Sequence, residues 1–360
     1  MSIIYGGLDV HKSSISVCLL HSGTGEIISQ QLPNDQQHVL RAARGWAKLG
    51  EARLCYEASG AGFVLQRWLQ AAGLQCEVIA PSLVPKAPGD RVKTDKRDAR
   101  KLATLYRAGL LQAVRVPGAA EETVRAVVRL RGQLTVDGTR VKNRLHKYLR
   151  TLGHIYPEKG YWTVKHRAWI AHLPLDALQG LIVRTHLDEL DTLLGQRTAV
   201  ERRIEELACA EPYRQGVGRL LSLRGIGLLT AMVLLTEIGD ARRFAGAPQL
   251  MAYLGLVPRK SSSGESRHTG PITKAGNHHV RRVLVEAAWN QMSQPGRCVR
   301  LRQHWQQQPP EVVAIAKKAQ RRLHDKFWKV TLRKDSKTAA VAVARELVGF
   351  VWALLTLEAV

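Results

Sequence analysis

Cysteine pairs and long apolar runs are both missing from this sequence of 360 residues. It has five cysteines, and no two of them form a CxxC pair. An odd number without close pairs argues against a disulfide framework and a cysteine zinc site, and it fits a reducing compartment. No uninterrupted apolar run approaches about 18 residues, and the opening MSIIYGGLDV lacks a signal-peptide pattern. The sequence therefore predicts a soluble, cytoplasmic protein with no membrane partner.

Acidic residues are also few. The chain has 30 Asp and Glu against 54 Lys and Arg, which gives a net charge of +24 at pH 7. Such an excess of positive charge repels itself in a folded protein unless a polyanion neutralises it. We therefore expect nucleic acid to be the main partner. A basic ribosome-associated or membrane-surface protein would also account for the charge alone.

The first 117 residues combine strand and helix patterns. Three β-rich runs come first and predict an antiparallel meander, after which strands and helices alternate. Three strands followed by β-α-β-α is the order of a ribonuclease-H-like fold, so we predict an α/β domain here. The segments are strands at 3–10, 14–20, 26–32, 53–57 and 76–80, and helices at about 36–49, 61–72 and 95–109.

From about 118 to 210 the periodicity is helical throughout. The stretch 139–153 carries apolar residues at helical spacing along one face, and a second long helix is predicted at about 186–208. Two long helices of this kind predict a coiled-coil linker or arm. An ordinary helical bundle with solvated charges explains the pattern equally well.

Residues 211–360 are predicted to form a mostly α domain that contains the most basic stretch. Between 257 and 337 there are 18 Lys and Arg and 5 Asp and Glu, a net charge of +13. Within 220–239, two apolar helices flank a turn at Gly225 and Gly227. This pattern is similar to a helix-hairpin-helix motif, which presents backbone N–H groups to a phosphate. A plain helical hairpin with a glycine turn is the alternative.

Four acidic residues lie where such a sheet would build a site. Asp9 ends the first strand in GLDVHK, and Glu57 ends a later strand in CYEASG. Asp95 and Asp98 are three residues apart in KTDKRDARKLA and share a helix face. Each acid alone has a simpler explanation, either a surface acid at a strand end or an acid favoured by the helix dipole.

Together the four acids indicate a metal site. In a ribonuclease-H-like sheet the first strand, the fourth strand and the late helix converge on one cleft, where four carboxylates would repel one another. Oxygen ligands suit Mg²⁺ or Mn²⁺, and a pair of such ions would stabilise in-line attack on phosphorus. We therefore predict catalytic and metal-binding roles for Asp9, Glu57, Asp95 and Asp98.

The stretch 255–277 is rich in Gly, Ser and Pro and is predicted to be a loop. It contains three consecutive serines at 261–263, with basic residues on both sides. A serine hydroxyl among cations could attack a phosphodiester and form a phosphoserine intermediate. A flexible basic loop whose serines only contact phosphates is the reading that composition alone favours.

Several motifs, taken in order, resemble one family. They are GLDVHK, YEASG, KTDKRDARKLA, LRGIGLLTA, AYLGLVPRKSSSGE, GPITKAGN and VLVEAAW, followed by ARELVGFVWAL near the end of the chain. The combination is similar to the DEDD insertion-sequence transposases, the family numbered one hundred and ten, whose relatives include the Piv and MooV invertases. No single motif is specific, but their ordered combination is.

The resemblance implies a RuvC-like domain at 1–117, a helical linker at 118–210 and a C-terminal transposase domain at 211–360. It implies that the four acids are the catalytic tetrad and that a serine within 261–263 is the nucleophile. Ser263, beside Gly264, is favoured, with Ser262 next. The resemblance also implies an oligomeric DNA recombinase, a dimer or a tetramer, that uses an element-encoded bridge RNA to pair with donor and target DNA.

The charge is consistent with an RNA partner, because +24 exceeds what clamping one duplex requires. No helix has the pattern of a recognition helix, so sequence choice would be delegated to base pairing. The residues expected to contact RNA or DNA are Lys93, Lys96, Arg97, Arg100, Arg140, Lys142, Arg144, Arg259, Lys260, Arg267, Lys274, Arg281 and Arg282.

Three other functions fit parts of the pattern. A RuvC-like junction-resolving nuclease would use the same four acids with water as its nucleophile and would need no serine. A sugar kinase or related phosphotransferase also opens with an Asp-bearing strand hairpin. It needs glycine-rich phosphate-binding turns in a second similar domain, which the sequence lacks after residue 118. A non-catalytic RNA-binding protein would have no use for four convergent acids.

Overall fold

The chain forms two compact units, an N-terminal unit of Met1–Pro117 and a C-terminal unit of Gly118–Val360. The predicted further boundary between 210 and 211 stays a prediction. The computed structural model describes residues 2–85, 94–263 and 266–358, with the backbone alone described for 261–263 and 266–268.

The N-terminal unit is a mixed five-stranded sheet with three helices. Its elements are β1 (Ile3–Val10), β2 (Ser14–His21), β3 (Ile27–Pro33), α1 (Gln36–Leu49), β4 (Glu51–Glu57), α2 (Val64–Ala71), β5 (Gln75–Ile79) and α3 (Asp95–Arg107). The strand order is β3-β2-β1-β4-β5. The first three strands pair antiparallel, and β4 and β5 extend the sheet in parallel with β1. The predicted α/β character of this region is confirmed.

Alternation along the strands gives the sheet two distinct faces. Ile4 and Leu8 of β1 join the core that α1 and α2 cover. On the opposite face, Cys18 and Leu20 of β2 pack against Ala99 of α3. Since burying an aliphatic side chain contributes about 1.5–3 kcal/mol, the pattern fixes which side of each strand faces which helix.

The helix α3 lies very close to the sheet because β1 carries a glycine at position 7. A Cβ atom at Gly7 would lie 2.1 Å from the carbonyl oxygen of Ala99 and 2.5 Å from the backbone nitrogen of Ala103. Two residues earlier on the same face, the ring of Tyr5 meets Tyr106 edge-on, with centroids 5.9 Å apart. Because of these contacts, α3 runs antiparallel to β1, and the first turn of the helix lies at the end of the strand.

The C-terminal unit is mostly helical, as the sequence predicts. Its elements are α4 (Ala119–Thr151), α5 (Val164–Ala171), α6 (Ala177–Cys209), α7 (Arg214–Leu221), α8 (Leu228–Ile238), α9 (Ala247–Tyr253), β6 (Pro258–Ser263), β7 (Ser266–Ile272), α10 (His278–Trp289), α11 (Val299–Trp305), α12 (Pro310–Arg333) and α13 (Ser336–Leu355).

The helices α4 and α6, each of 33 residues, form a long antiparallel pair that we call the arm. Ion pairs of 2.7 Å join Arg131 to Glu201 and Arg144 to Glu189, which fixes the opposite directions of the two helices. From Leu134 to Leu149, buried residues of α4 recur at the three- and four-residue spacing of a coiled coil. The far end of the arm has a small core of its own, formed by Leu145, Leu149, Ile170 and Val183.

The helices α7, α9, α10 and α12 pack around α13, which contributes eight buried residues to the common core of this unit. By length and composition α13 could cross a membrane. Its burial against α7, α9, α10 and α12 instead identifies it as the central helix of a protein core.

A buried carboxylate connects three helices of the C-terminal unit. The side chain of Glu237 in α8 is only 2% exposed. Arg129 of α4 donates two hydrogen bonds to it, at 2.6 and 2.8 Å, and the Asn277 side chain donates a third at 2.6 Å. Burial alone would raise the pKa of Glu237, but these donors outweigh it and hold that pKa below its ordinary value. Asn277 also caps α10, so the carboxylate fixes where that helix begins.

The prediction of a loop over 255–277 is wrong for most of that stretch, because β6 and β7 form an antiparallel hairpin. Its backbone register pairs Ser261 with His268 and Ser263 with Ser266. A strand ladder is made by backbone groups, so polar residues can form it without the apolar alternation that marks a core strand. Pro258 and Pro271 lie near strand ends, where a missing N–H is tolerated.

The close approach at Gly7 predicts that Gly7→Ala destabilises the protein by about 1–3 kcal/mol, because α3 must move away from the sheet. The measurement is a urea unfolding curve. Gly45→Ala is the matched control, since Gly45 is exposed in α1 with no neighbour within 4 Å of an added Cβ. That change should stabilise the protein by up to about 1 kcal/mol. Equal midpoints for Gly7→Ala and the unsubstituted protein would refute the close contact.

Candidate active site

The face of β1 that meets α3 ends in an acidic residue. Tyr5, Gly7 and Asp9 alternate along this face, so Asp9 points to the side where the first turn of α3 lies. The side chain of Asp9 is 22% exposed. Partial burial of a carboxylate at a strand end is unfavourable unless a neighbour compensates it.

The first turn of α3 supplies acidic neighbours. Asp95 and Asp98 both lie in this turn, where the helix dipole favours negative charge. His11, two residues after Asp9, contacts both ends of the group: its Nε2 atom is 3.3 Å from an Asp9 oxygen and 3.3 Å from an Asp95 oxygen. One ligand atom each from Asp9, His11 and Asp95 lie within 4.8 Å of one another. The structure therefore brings two of the four predicted acids together around a histidine.

The charges of this cluster act on Asp9. Burial raises the pKa of its carboxyl, His11 lowers that pKa, and the negative charges of Asp98 and Asp95 raise it again, leaving it above its ordinary value. Asp98 thus lies close enough to Asp9 to affect its ionisation, although it is outside the group of three ligand atoms. A bound cation would reverse the effect by favouring the ionised carboxylates.

Glu57 lies on the neighbouring strand. The register pairs Leu8 with Tyr56, so the next residues along the two parallel strands are Asp9 and Glu57. Cys55, two residues before Glu57, packs against α3, which puts Glu57 on that same face of the sheet. Glu57 is exposed and lies outside the group of three ligand atoms.

The donor set fits a divalent cation. Two ligands on opposite sides of a cation such as Mg²⁺ or Mn²⁺ lie about 4.2 Å apart, a spacing compatible with the 4.8 Å limit of this group. The carboxylates suit both ions, whereas the imidazole of His11 suits Mn²⁺ better than Mg²⁺. The sequence pattern GLDVHK contained His11, but its spacing from Asp9 alone did not mark it as a ligand.

Basic residues predicted around this site lie on α3. Lys96, Arg97 and Arg100 are exposed on the same helix as Asp95. They are available to a polyanion that approaches the acidic cluster. Lys93 lies outside the described residues.

The basic residues predicted on the arm take part in local contacts. Arg140 forms a 2.8 Å ion pair with Asp137, and Arg144 pairs with Glu189 of α6. Lys142 places its ammonium 5.4 Å from the centre of the Trp162 ring. Exposed pairs of this kind contribute about 0–1 kcal/mol, so a phosphate can compete for the same cations.

The predicted contacts near the hairpin differ in their surroundings. Arg259, Lys260 and Lys274 are exposed. Arg281 donates hydrogen bonds to the carbonyls of Leu254 and Ala275, at 2.8 and 2.9 Å, which gives it a structural role in holding this turn.

Two more predicted contacts and the predicted nucleophile lie in the same region. Arg282 pairs with Glu286 at 3.0 Å, and Arg267 lies on β7 with only its backbone described. Ser262 and Ser263 are the last two residues of β6, and their side chains likewise lie outside the description. The hairpin therefore gives the backbone position of the predicted nucleophile and no contact of its hydroxyl group.

The helix α12 carries a basic surface that the residue assignments from sequence missed. One face packs Val312, Ala319 and Leu323 into the core, and the other lines a groove of about 810 Å³ with α13. The sequence signal was present, since the apolar residues recur at helical spacing while the basic ones occupy the remaining positions. The basic residues of the groove are Lys317, Lys318, Arg321, Arg322, Lys326 and Lys329.

Comparisons with known proteins identify the family of this chain. Residues 217–303 match the "Transposase IS116/IS110/IS902 family", and residues 6–154 match the DEDD transposase family of IS110 elements. The matches therefore cover the acidic face of the sheet and the hairpin region. Together they define the protein as an insertion-sequence transposase in class.

Full-length relatives carry the same assignment. The transposase y4qE of Sinorhizobium fredii is 37% identical, over 97% of this chain and 87% of its own. The transposase for insertion sequence element IS1533 of Leptospira borgpetersenii is 34% identical, over 90% of this chain and 95% of its own. The transposase for insertion sequence element IS1111A of Coxiella burnetii is 26% identical, over 97% of this chain and 89% of its own. The chain belongs to the IS110 family of DEDD transposases, and the predicted family is confirmed.

The raised pKa of Asp9 predicts how Asp9→Asn changes stability. A folded-state pKa above the unfolded value means that ionised Asp9 costs stability at neutral pH, and the cost disappears as the pH falls through the folded pKa. Asp9→Asn should therefore raise the melting temperature of the metal-free protein at neutral pH. Mg²⁺ or Mn²⁺ should raise the melting temperature of the unsubstituted protein and leave that of the variant almost unchanged.

Thermal unfolding with and without each ion provides the measurement. Asp188→Asn, at an exposed position of α6, is the control and should respond to the ions as the unsubstituted protein does. An equal response of Asp9→Asn would exclude Asp9 as a ligand.

Proposed function

We propose that this transposase cuts and rejoins DNA with a metal-bound DEDD site in a ribonuclease-H-like, RuvC-like domain and a nucleophilic serine in the C-terminal unit. The proposal includes guidance by an element-encoded RNA, a dimeric or tetrameric assembly and a cytoplasmic location. The observation that carries it is the contact of Asp9, His11 and Asp95 at the junction of β1 and α3. The predicted domains, 1–117, 118–210 and 211–360, would carry the catalytic acids, the linking arm and the serine, respectively.

The four acids would hold the cations and orient the DNA backbone. Asp9 and Asp95 would be ligands from opposite sides of the cluster. Asp98 would complete it from the same first turn of α3, and Glu57 from the neighbouring strand. Bound Mg²⁺ or Mn²⁺ would supply charge stabilisation for in-line displacement at phosphorus. Lys96, on the exposed side of α3, would attract the phosphates toward the acids.

The serine would carry the DNA end through the exchange. Its oxygen forms a bond to phosphorus as the bond from phosphorus to one bridging oxygen breaks, and the hydroxyl proton passes overall to the departing oxygen. The resulting phosphoserine ester preserves the energy of the phosphodiester, so a second DNA hydroxyl can reverse the step and rejoin the strands. Ser263 is favoured, and Ser262 is next. Exposed Arg259 and Lys260 on the same strand would stabilise the developing charge.

The distribution of positive charge supports the proposal of an RNA guide. Basic residues extend along α3, the arm, the hairpin and α12, which is more surface than one duplex in a small cleft requires. Phosphate contacts of this kind position nucleic acid without reading its sequence. Base pairing with a guide would provide the missing sequence choice.

The test of the catalytic proposal is DNA strand transfer by acidic and serine variants. Each acidic change should abolish transfer, because each removes charge needed to hold cations at the site. The serine changes, made singly and together, should identify one hydroxyl without which cleavage is lost while nucleic-acid binding remains. The variants are Asp9→Asn, Glu57→Gln, Asp95→Asn, Asp98→Asn, Ser261→Ala, Ser262→Ala and Ser263→Ala.

A reaction stopped midway should leave DNA covalently attached to a peptide from 261–263. Asp188→Asn is again the matched control and should retain full transfer. Cleavage by the triple serine variant would instead favour a junction-resolving nuclease that uses water. Transfer by any acidic variant would remove that residue from the site.

The guide is tested by purification. We expect the protein to co-purify with an element-derived RNA, ribonuclease treatment to abolish recombination, and the added RNA to restore it. Binding should weaken steeply with salt, because many phosphates are contacted. Changing the target-pairing loop of the RNA should redirect insertion. Full-rate recombination by RNA-free protein would show that no guide is needed.

A further inference from the structure

The far end of the arm contains an aromatic pocket that the proposed chemistry does not use. It lies where α4 ends and α5 begins and has a volume of about 410 Å³, within the ~300–1,000 Å³ range of small-molecule sites. Tyr161, at its rim, is 52% exposed. The residues that matter for the argument are His146, Arg150, Tyr156, Tyr161, His166 and Trp169.

His166 is the polar group at the base of this pocket. The residue is only 1% exposed. The backbone N–H of Trp162 donates to its Nδ1 atom at 3.1 Å, so the neutral ring carries its proton on Nε2. Among the described residues Nε2 has no hydrogen-bond partner. A buried donor without a partner is costly, so this N–H is available to a ligand acceptor.

The geometry around His166 holds that donor in place. Trp162 has a positive φ of 67°, which is unusual for a non-glycine residue and turns its N–H onto the histidine. The rings of Trp169 and His166 stack with centroids 5.7 Å apart, and Tyr156 meets His166 edge-on at 4.7 Å. The donor is therefore framed by aromatic rings on several sides.

His146 forms a second wall of the pocket. Its ring stacks on Trp162 with centroids 4.8 Å apart, and its Nε2 atom is likewise buried with no partner among the described residues. Burial lowers the pKa of both histidines, with His146 adding to the effect on His166, so both rings are neutral at neutral pH. The rings that line the pocket are therefore uncharged, which suits a flat heterocycle better than a phosphate group.

Cations lie on the wall of this pocket and beside it. Arg150 lies on the pocket wall and is exposed, and Lys147 lines an adjoining cavity with it. Lys142 lies 5.4 Å from the centre of the Trp162 ring. An apolar slot bordered by cations is the arrangement that takes an unstacked base inside and its phosphates outside.

We propose that this pocket binds one unpaired nucleobase of a single-stranded segment, with the His166 Nε2–H donating to a base acceptor, Tyr161 stacking at the rim and Arg150 contacting the backbone. The proposal rests on the proposed function only in taking nucleic acid as the partner. RNA and DNA share this chemistry, so either strand could be the source. The pocket would capture unpaired nucleotides at the end of the arm and leave duplex segments unbound there.

The test compares binding of three fluorescent probes to the purified full-length protein, freed of co-purifying nucleic acid. The probes are an unstructured RNA, a DNA of the same sequence and an RNA duplex of the same length. Tyr161→Ala should weaken binding of the unpaired probe by roughly 5- to 150-fold and change duplex binding less than about twofold. Val164→Ala, 88% exposed and three residues away, is the matched control and should weaken neither.

A second variant addresses the donor. His166→Asn keeps an acceptor near the Trp162 N–H and removes the Nε2–H donor. It should therefore weaken binding of the unpaired probes more than binding of the duplex. Thermal unfolding shows whether this buried change also unfolds the arm. If it does, the binding measured with Tyr161→Ala tests the proposal. A larger loss on RNA assigns the site to the guide, and a larger loss on DNA assigns it to a DNA strand.

Equal binding by Tyr161→Ala and the unsubstituted protein would overturn the proposal, and so would equal losses on unpaired and duplex probes. The assay measures binding alone and includes no strand cleavage, so its outcome does not require the catalytic acids or the serine. A failure of the catalytic proposal would therefore leave the result for this pocket unaffected.

Discussion

Backbone contact between α3 and β1 at Gly7 is the constraint on which the acidic cluster depends. A side chain at that position would keep the carbonyl of Ala99 away from the strand. Without one, the first turn of α3 reaches the end of β1 and brings Asp95 to His11 and Asp9. The packing that fixes the helix therefore also forces like charges together. Stability and site chemistry oppose each other at this point, as is expected where acids are assembled to hold a cation.

Two buried or half-buried acids illustrate opposite solutions to the same electrostatic problem. Glu237 is nearly inaccessible, yet its pKa is lowered because Arg129 and Asn277 donate to it. Asp9 is less buried, yet its pKa is raised because burial and neighbouring acids outweigh His11, which it shares with Asp95. Hydrogen-bond donors inside the protein compensate the charge of Glu237, which serves as a structural junction. The charge of Asp9 is only partly compensated inside the protein, which is consistent with the proposed cation site.

The sequence predicted the elements that follow strong periodic patterns. The helix at 36–49 and the α3 region were correct because apolar spacing and helix-start residues agree there. The four acids could be predicted as a site because each ends a strand or begins a helix. His11 was missed, since its role depends on where α3 comes to lie. The hairpin at β6 and β7 was missed because backbone pairing, and not side-chain pattern, forms it. The pocket at His166 depends on backbone geometry at Trp162, which no local pattern encodes.

The length of the arm sets a fixed spacing within the C-terminal unit. Val128 of α4 belongs to the main core and Leu149 to the small core at the far end. At a rise of about 1.5 Å per residue, roughly 30 Å of continuous helix separates them. The antiparallel pair thus sets both the distance between the two cores and the rotation of the far end about the helix axis. Lengthening both helices by seven residues would move the far end outward by about 10 Å with nearly the same orientation, whereas a shorter insertion would also turn it around the helix axis. A nucleic-acid strand bound at both ends of the arm would have to span that distance.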